Sequence, residues 1–333
     1  MIRNYLLTAL RSFVRQRSYS IINLSGLAVG LACSIFILLW VADEVSYNKF
    51  HKDGDRIFQI LENQTYSGNK IFTFAATPGL LAEALKQEIP EIEYACRTSW
   101  GDRRLFQVGE KSIYEEGLYA DPTIFNIFTF PIVDGDQVIP MPDNNSVAIS
   151  ERTAKKFFGE ESAIGKSFRI DNDFDAKVTA VFKDLPENSS IRFDFLIPFD
   201  RTFRNPANKW MSDWESNGLQ TYVRLNSAGA RDEVNGKIKE FVKKRNEGSV
   251  VDLFLFALND WRLYSNFENG KQAGGRISYV RAFSVVAAFI LAIACINFMN
   301  LATARAANRS REVGIRKVVG AQRRSLMAQF IGE

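Results

Sequence analysis

At 333 residues the chain is long enough for two average domains, and its 46% hydrophobic and 24% charged residues make an ordinary globular mixture. That composition excludes a disordered, collagen-like or disulfide-stapled protein. The formal charge of +4 is concentrated at the ends: residues 1–20 hold four arginines and no acid, and residues 305–333 hold seven basic residues against two acids. The stretch between them is net acidic.

In chain order, a basic lead-in (1–20) precedes an uncharged apolar run at residues 21–42, and a second fills 282–304. As helices each reaches roughly 33 Å, enough for a bilayer core of about 30 Å. The expected spans are therefore 21–42 and 281–304, with a water-exposed domain over 43–280. The first run is too long for a signal-peptide core, and its exit lacks a small-residue cleavage site. Arginines flank the outer ends of both runs, while Asp43 and Glu44 follow the first directly. The positive-inside bias places both chain ends in the cytoplasm and the middle outside. Basic charge beside membrane spans needs no nucleic-acid partner, and none is expected.

In the first run Gly26 and Gly30 form a G-x-x-x-G step with Ser34 one turn further, a surface suited to close helix contact. Cys96 is the lone cysteine outside the runs, so the soluble domain must be stable without an internal disulfide. The single histidine, His51, has neither a thiol partner nor enough companions for zinc, and reads as a surface residue.

Strands are expected at 56–62, 92–99, 146–149, 177–182, 221–225 and 251–258. Thr77 and Pro78 read as the N-cap and first turn of a helix ending before Pro90. Asp121 and Pro122 open a short helix, and Ser150 caps another that runs through Phe158. Val178, Ala180 and Phe182 alternate as if on one face, and Val234, Ile238, Phe241 and Val242 form a helical stripe. Alternating strands and helices predict a mixed α/β domain, with a strand-rich insertion at about 100–215.

The stretch from Gly159 to Ser167 imitates a phosphate-binding loop but carries five residues between its glycines instead of four, and reads as a helix-to-strand turn. The pairs Glu115–Glu116 and Glu160–Glu161 read as solvated surface. No catalytic constellation, metal site or cofactor motif is found. Trp210 and Trp214 stand four apart, and packing within the domain is favoured over a shared exposed face. Near the end of the second run, Asn297 and Asn300 are polar residues at membrane depth, which face other helices. A basic amphipathic segment follows.

That segment, NFMNLATARAANRSREVGIRKVVGAQRRSLMAQFIGE, resembles the second-helix exit and coupling segment of MacB/FtsX-type ABC transporter permeases. The stretches TPGLLAEALKQEIPEIE, DPTIFNIFTFPIVDGD, NNSVAISERTAKKFFGEESAIGKSFRI and AVFKDLPENSSIRFDFLIPF resemble the same family's periplasmic core domain. The N-terminal stretch NYLLTALRSFVRQRSYSIINLSGLAVGLA resembles its first helix. The resemblance implies a non-catalytic permease subunit of the bacterial inner membrane, with a periplasmic porter part and an inserted strand-rich sabre part.

It implies mechanotransmission: a separate cytoplasmic ATPase binds residues 311–321 within the coupling segment 305–333, which opens an FtsX-like domain. Closure of the ATPase is relayed to the periplasmic domain to act on peptides, lipoproteins, antibiotics or envelope partners. Arg311, Glu312, Gly314, Arg316, Lys317, Gly320 and Ala321 would form the ATPase contact. A second permease copy or pseudo-copy, membrane lipids and a periplasmic adaptor are the other implied partners. Relatives continue into at least two further helices, so this chain is expected to be an N-terminal piece. The rival is a two-span sensor with an external ligand domain, which Gly314, Gly320 and the basic run fit poorly; an envelope enzyme lacks any catalytic set.

Overall fold

The computed structural model describes residues 17–318. Their contacts divide into two compact units, one of residues up to Asp43 together with those from Ser278 onward, the other Glu44–Ile277. The described helices are α1 (Arg17–Ser46), α2 (Leu81–Glu88), α3 (Ile124–Ile127), α4 (Glu151–Phe158), α5 (Arg231–Ile238) and α6 (Arg276–Val318).

In the first unit, two proline-free apolar sequences form the greater part of α1 and α6, 30 and 43 residues long. Their small residues meet. A Cβ at Gly30 would lie 3.0 Å from Ala294 Cβ, and one at Gly26 would lie 3.6 Å from Asn297 Nδ2. Ser34 Oγ donates to the Ala287 carbonyl at 3.3 Å, and Trp40 meets Phe283 edge-on at 5.3 Å. Rising numbers on α1 pair with falling numbers on α6, so the helices run antiparallel. Large apolar side chains cover the outside, Phe36 being 71% exposed. That surface is costly in water and at home in lipid. Oxidation of Gly30→Cys paired with Ala294→Cys, in a chain whose Cys33 and Cys295 are serine, should give an intramolecular cross-link in membranes, since the two positions are in direct contact and a shift of about half an ångström brings their Cβ atoms into disulfide range. A shift in gel mobility reports it, and an unshifted band would contradict this helix register.

The second unit contains β1 (Ile57–Tyr66), β2 (Lys70–Phe74), β3 (Thr77–Pro78), β4 (Ile92–Thr98), β5 (Asp102–Val108), β6 (Lys111–Ala120), β7 (Ile132–Gly135) and β8 (Ser146–Ser150). It continues with β9 (Ser167–Ile170), β10 (Phe174–Phe182), β11 (Phe195–Pro198), β12 (Asn217–Leu225), β13 (Val251–Ala257), β14 (Phe267–Glu268) and β15 (Lys271–Gln272). The order β11-β8-β10-β9-β5-β6 returns to β11 through a parallel β6–β11 pairing, so six strands close a small barrel. Side chains fill its interior, as a barrel this narrow requires. Phe106, Phe168 and Phe195 are fully buried there, with ring centroids 4.8 and 4.9 Å apart around Phe106. Gly117 lets β6 approach β11, because a Cβ there would strike the Phe195 carbonyl and ring.

The remaining strands β4-β12-β1-β13, with β2 on β1, form an open antiparallel sheet. One face is covered by α2 and α5, through Leu81, Leu85, Val234 and Ile238 against Phe58, Ile60 and Val223. The other packs on the outer wall of the barrel, where Ile57, Cys96 and Tyr222 meet Ala148, Ala180 and Leu196. The soluble unit is thus mixed α/β.

Several sequence expectations need correction. Thr77 does not cap α2, which begins after Leu80 without a side-chain cap. Its hydroxyl instead donates to the Leu219 carbonyl at 2.9 Å beside Thr221, because β3 pairs with β12. Val178, Ala180 and Phe182 do not share a face. The β10 register against β8 shifts between Val178 and Ala180, so Val178 points into the barrel while Ala180 and Phe182 point outward. A bulge inserts one residue and inverts the alternation beyond it. Ser150 does cap α4, accepting from the Thr153 amide. The glycine-rich stretch after α4 is a turn leading to β9, with Gly159 and Gly165 at φ +67° and +82°.

Candidate functional site

Glu44 ends the apolar part of α1, and its side chain is only 3% exposed. An ionised carboxylate so buried requires partners, and two arginines supply them. Arg262, in the segment after β13, donates to both carboxylate oxygens through one edge of its guanidinium: Nε to Oε2 at 2.7 Å and Nη2 to Oε1 at 2.8 Å. Arg276, the first residue of α6, adds Nη1 to Oε1 at 2.8 Å. The Arg262 guanidinium also stacks over Tyr47 at 3.9 Å. One carboxylate thereby ties the last turn of α1 to the first residue of α6.

A second set of bonds grips the same exit. Asn48, at φ +63°, accepts from the Ser190 amide at 2.8 Å and donates to Ser190 Oγ and the Leu258 carbonyl. Asn188 Nδ2 reaches back to the Ser46 carbonyl and hydroxyl at 3.2 and 2.9 Å. Short polar side chains that tolerate left-handed backbone suit such a tight junction. Asn188 and Ser190 therefore hold the end of α1 by directed bonds, beside the charged contacts of Glu44.

His51, expected at the surface, is 5% exposed. Its Nδ1 accepts from the Thr129 amide at 3.0 Å, and Phe50, Phe128 and Phe130 surround the ring. Burial lowers its pKa to about 4. Glu115 is also buried, not solvated, and pairs with Lys156 at 2.6 Å. Glu160 and Glu161 are exposed and pair with Lys155 and Lys166. Trp210 and Trp214 are half-buried in different apolar clusters, Trp210 against the barrel core and Trp214 beside Phe241, so they share no exposed face.

Glu62 on β1 is completely buried. Its Oε2 accepts from Gln64 at 2.9 Å and Asn217 at 3.0 Å, while Oε1 has no partner among the described residues. Burial pushes its pKa up to about 7 against the opposing Gln64 bond. The folded state holds this proton from the ordinary carboxyl value of 4.5 up to about 7, so stability falls as pH rises through that window. His51 acts in the opposite sense: its contribution is present above 6.5 and is lost as pH falls towards about 4. Glu62→Gln should raise the unfolding free energy at a pH of about 8 by up to roughly 3 kcal/mol, seen as a higher chemical-denaturation midpoint, and change it little at a pH of about 4.5. Tryptophan fluorescence of the full chain reads this, and equal midpoints for both proteins at the higher pH would contradict it.

The expected coupling residues Arg311, Glu312, Gly314, Arg316 and Lys317 lie on the helical backbone of α6. Gly320 and Ala321 lie outside the described residues. Of the expected helix-packing set, Gly26, Gly30 and Asn297 come together, while Asn300 is exposed. Among the described residues no group of three or more histidine, cysteine or acidic side chains could hold a metal. The Glu44 clasp was not anticipated, although an acid directly following a membrane span was a legible signal for it.

Two antiparallel apolar helices attached to a large α/β unit define a membrane protein with an extramembrane domain. Residues 20–241 match the MacB-like periplasmic core domain, and residues 284–333 match the FtsX-like permease C-terminal domain. The chain belongs to the family of ABC transporter permeases built from these two domains. It is similar to the uncharacterized ABC transporter permease YvrN of Bacillus subtilis, 23% identical over 97% of this chain and 80% of that protein. It is also similar to the macrolide export ATP-binding/permease protein MacB of Bdellovibrio bacteriovorus, 27% identical over 56% of this chain but only 27% of that protein. Among solved structures it resembles a domain of a putative permease protein from Porphyromonas gingivalis. That likeness has a TM-score of 0.53 and 26% identity, and covers 62% of this chain and 91% of that one. The protein is thus a membrane permease with a periplasmic domain, and its family implies an ATPase partner. This favours the permease over the two-span sensor.

Proposed function

We propose that the chain relays motion driven by a cytoplasmic ATPase to the periplasmic unit, which then acts on exported or extracted peptides, lipoproteins, antibiotics or similar cargo. The observation that carries this reading is the continuity of α6. Its 43 residues extend about 64 Å, twice the hydrocarbon thickness, so one hydrogen-bonded rod joins Arg276 in the clasp to Arg316 and Lys317. A helix transmits displacement along its axis because each turn is bonded to the next. Residues 311–321 form the ATPase contact in this reading, with Arg311, Arg316 and Lys317 supplying charge around Glu312, and Gly314, Gly320 and Ala321 permitting close approach. Hydrolysis belongs to the separate ATPase. A second permease copy or pseudo-copy completes the membrane part, lipids surround it, and a periplasmic adaptor receives the cargo.

Both chain ends are cytoplasmic in this arrangement. Reporter fusions after Glu44 and near Gly270 should score periplasmic, and one after Ala321 cytoplasmic. A cytoplasmic score at Gly270 would overturn the relay, since it places the soluble unit on the side of the ATPase.

A further inference from the structure

Within the soluble unit, the open sheet's barrel-facing side continues beyond the apolar layer into a cleft of about 820 Å³, a size suited to a small ligand. Ile57 on β1 packs in the apolar layer, whereas Gln59, two residues along the same face, lines the cleft. Gln59 is 8% exposed, and its side-chain amide has no protein hydrogen-bond partner among the described residues. Gln220 lines the cleft from β12, also with an unpartnered amide. Both amides open onto the cleft, where water or a ligand can take up their hydrogen bonds.

The rest of the lining is chemically consistent. Phe256 and Trp261 give it aromatic walls, Arg192, Arg262 and Arg276 are its charged residues, and no Asp or Glu lines it. Arg192 Nη2 pairs with the exposed Glu187 at 2.9 Å, which leaves its Nη1 for a ligand. Arg276 spends Nη1 on Glu44 and remains half exposed, leaving Nε and Nη2 unpartnered among the described residues. Tyr47, the residue after α1, and Arg276, the first of α6, both line the cleft. It is therefore assembled where the chain leaves its two apolar helices, and tyrosine and tryptophan are residues of membrane interfaces.

We propose that this cleft binds the anionic head of an amphiphile. A phosphate or carboxylate is held by Arg276, Arg192 and the Gln59 and Gln220 amides, and the adjoining apolar part lies against Phe256 and Trp261. The assignment rests on the relay reading in that it names the class of molecule the periplasmic unit handles. A membrane lipid and a free amphiphilic cargo present the same chemistry.

The full chain in neutral maltoside micelles should bind decyl phosphate in preference to added decyl maltoside. Ala75 also lines the cleft, so Ala75→Trp should fill it and weaken decyl phosphate binding at least about tenfold. Gln59→Leu, which keeps the packing and removes one amide, should weaken it about threefold. Cooperative unfolding at midpoints no lower than that of the wild type establishes that both variants fold. A second arm, native mass spectrometry of the chain released from nanodiscs of equal phosphatidylglycerol and phosphatidylcholine, distinguishes the source. Selective retention of phosphatidylglycerol, lost in Ala75→Trp, makes a membrane lipid the occupant; decyl phosphate binding without that selectivity makes it a free amphiphile. Equal binding of decyl phosphate by wild type and both variants, or none by wild type, overturns the proposal. No ATPase is present, so failure here leaves the relay standing, and failure of the relay leaves this binding unchanged.

Discussion

Replacing Glu44 with glutamine should disconnect the periplasmic unit from nucleotide-driven motion while leaving ATP hydrolysis intact. In the assembled transporter, ATP binding is expected to alter hydrogen exchange in β1 and β12 of the native protein and to leave it unchanged in Glu44→Gln. Glutamine keeps the length of the side chain but not its charge, so Arg262 and Arg276 lose the carboxylate they share. Removing one partner of a buried ion pair costs about 3–5 kcal/mol, and the lower end applies because Arg276 is half exposed. Such a loss separates the ends of α1 and α6 before it unfolds a unit with three extensive apolar clusters. Glu44→Asp should recover part of the response, because the charge returns with a shorter reach. An undiminished exchange response in Glu44→Gln would reduce the clasp to a stabilising contact.

The sequence disclosed whatever was written in local pattern. The uncharged runs became α1 and α6, Ser150 capped α4, and the strands near 57, 92, 146 and 251 lie where alternation and β-branched residues put them. What stayed hidden depends on distant pairing. Closure of the barrel needs β11 to lie parallel to β6, with more than seventy residues between their paired positions, and no local pattern encodes that. The bulge in β10 turns one apparent apolar face into two. Thr77 and Pro78 carry an honest capping signal, overridden when β12 offers a ladder.

The candidate site divides in the same way. Gly26, Gly30 and Asn297 follow from the chemistry of helix contact, whereas the burial of Glu44, His51 and Glu62 depends on elements far along the chain. His51 takes its place from Phe128, Phe130 and Thr129, residues almost eighty positions away. Polarity alone suggested solvent for it, and the aromatic layer that encloses it forms only in the folded sheet.

The second large effect is expected at the other end of α6. Gly314→Trp combined with Gly320→Trp leaves the charge of residues 311–321 unaltered, so the positive-inside bias and membrane insertion are preserved. Indole rings at both positions occupy the close approach that the relay assigns to the ATPase. The loss should be at least about tenfold, which corresponds to only about 1.4 kcal/mol at a contact surface. The direct test is co-purification of the ATPase with the transporter, read together with the ATP-dependent hydrogen exchange of the periplasmic unit. The relay predicts that the double substitution inserts normally but loses the ATPase, or retains it while the periplasmic unit no longer responds to ATP. If the ATPase still co-purifies and the periplasmic response persists, residues 311–321 are only a helix at the lipid surface and the relay is contradicted.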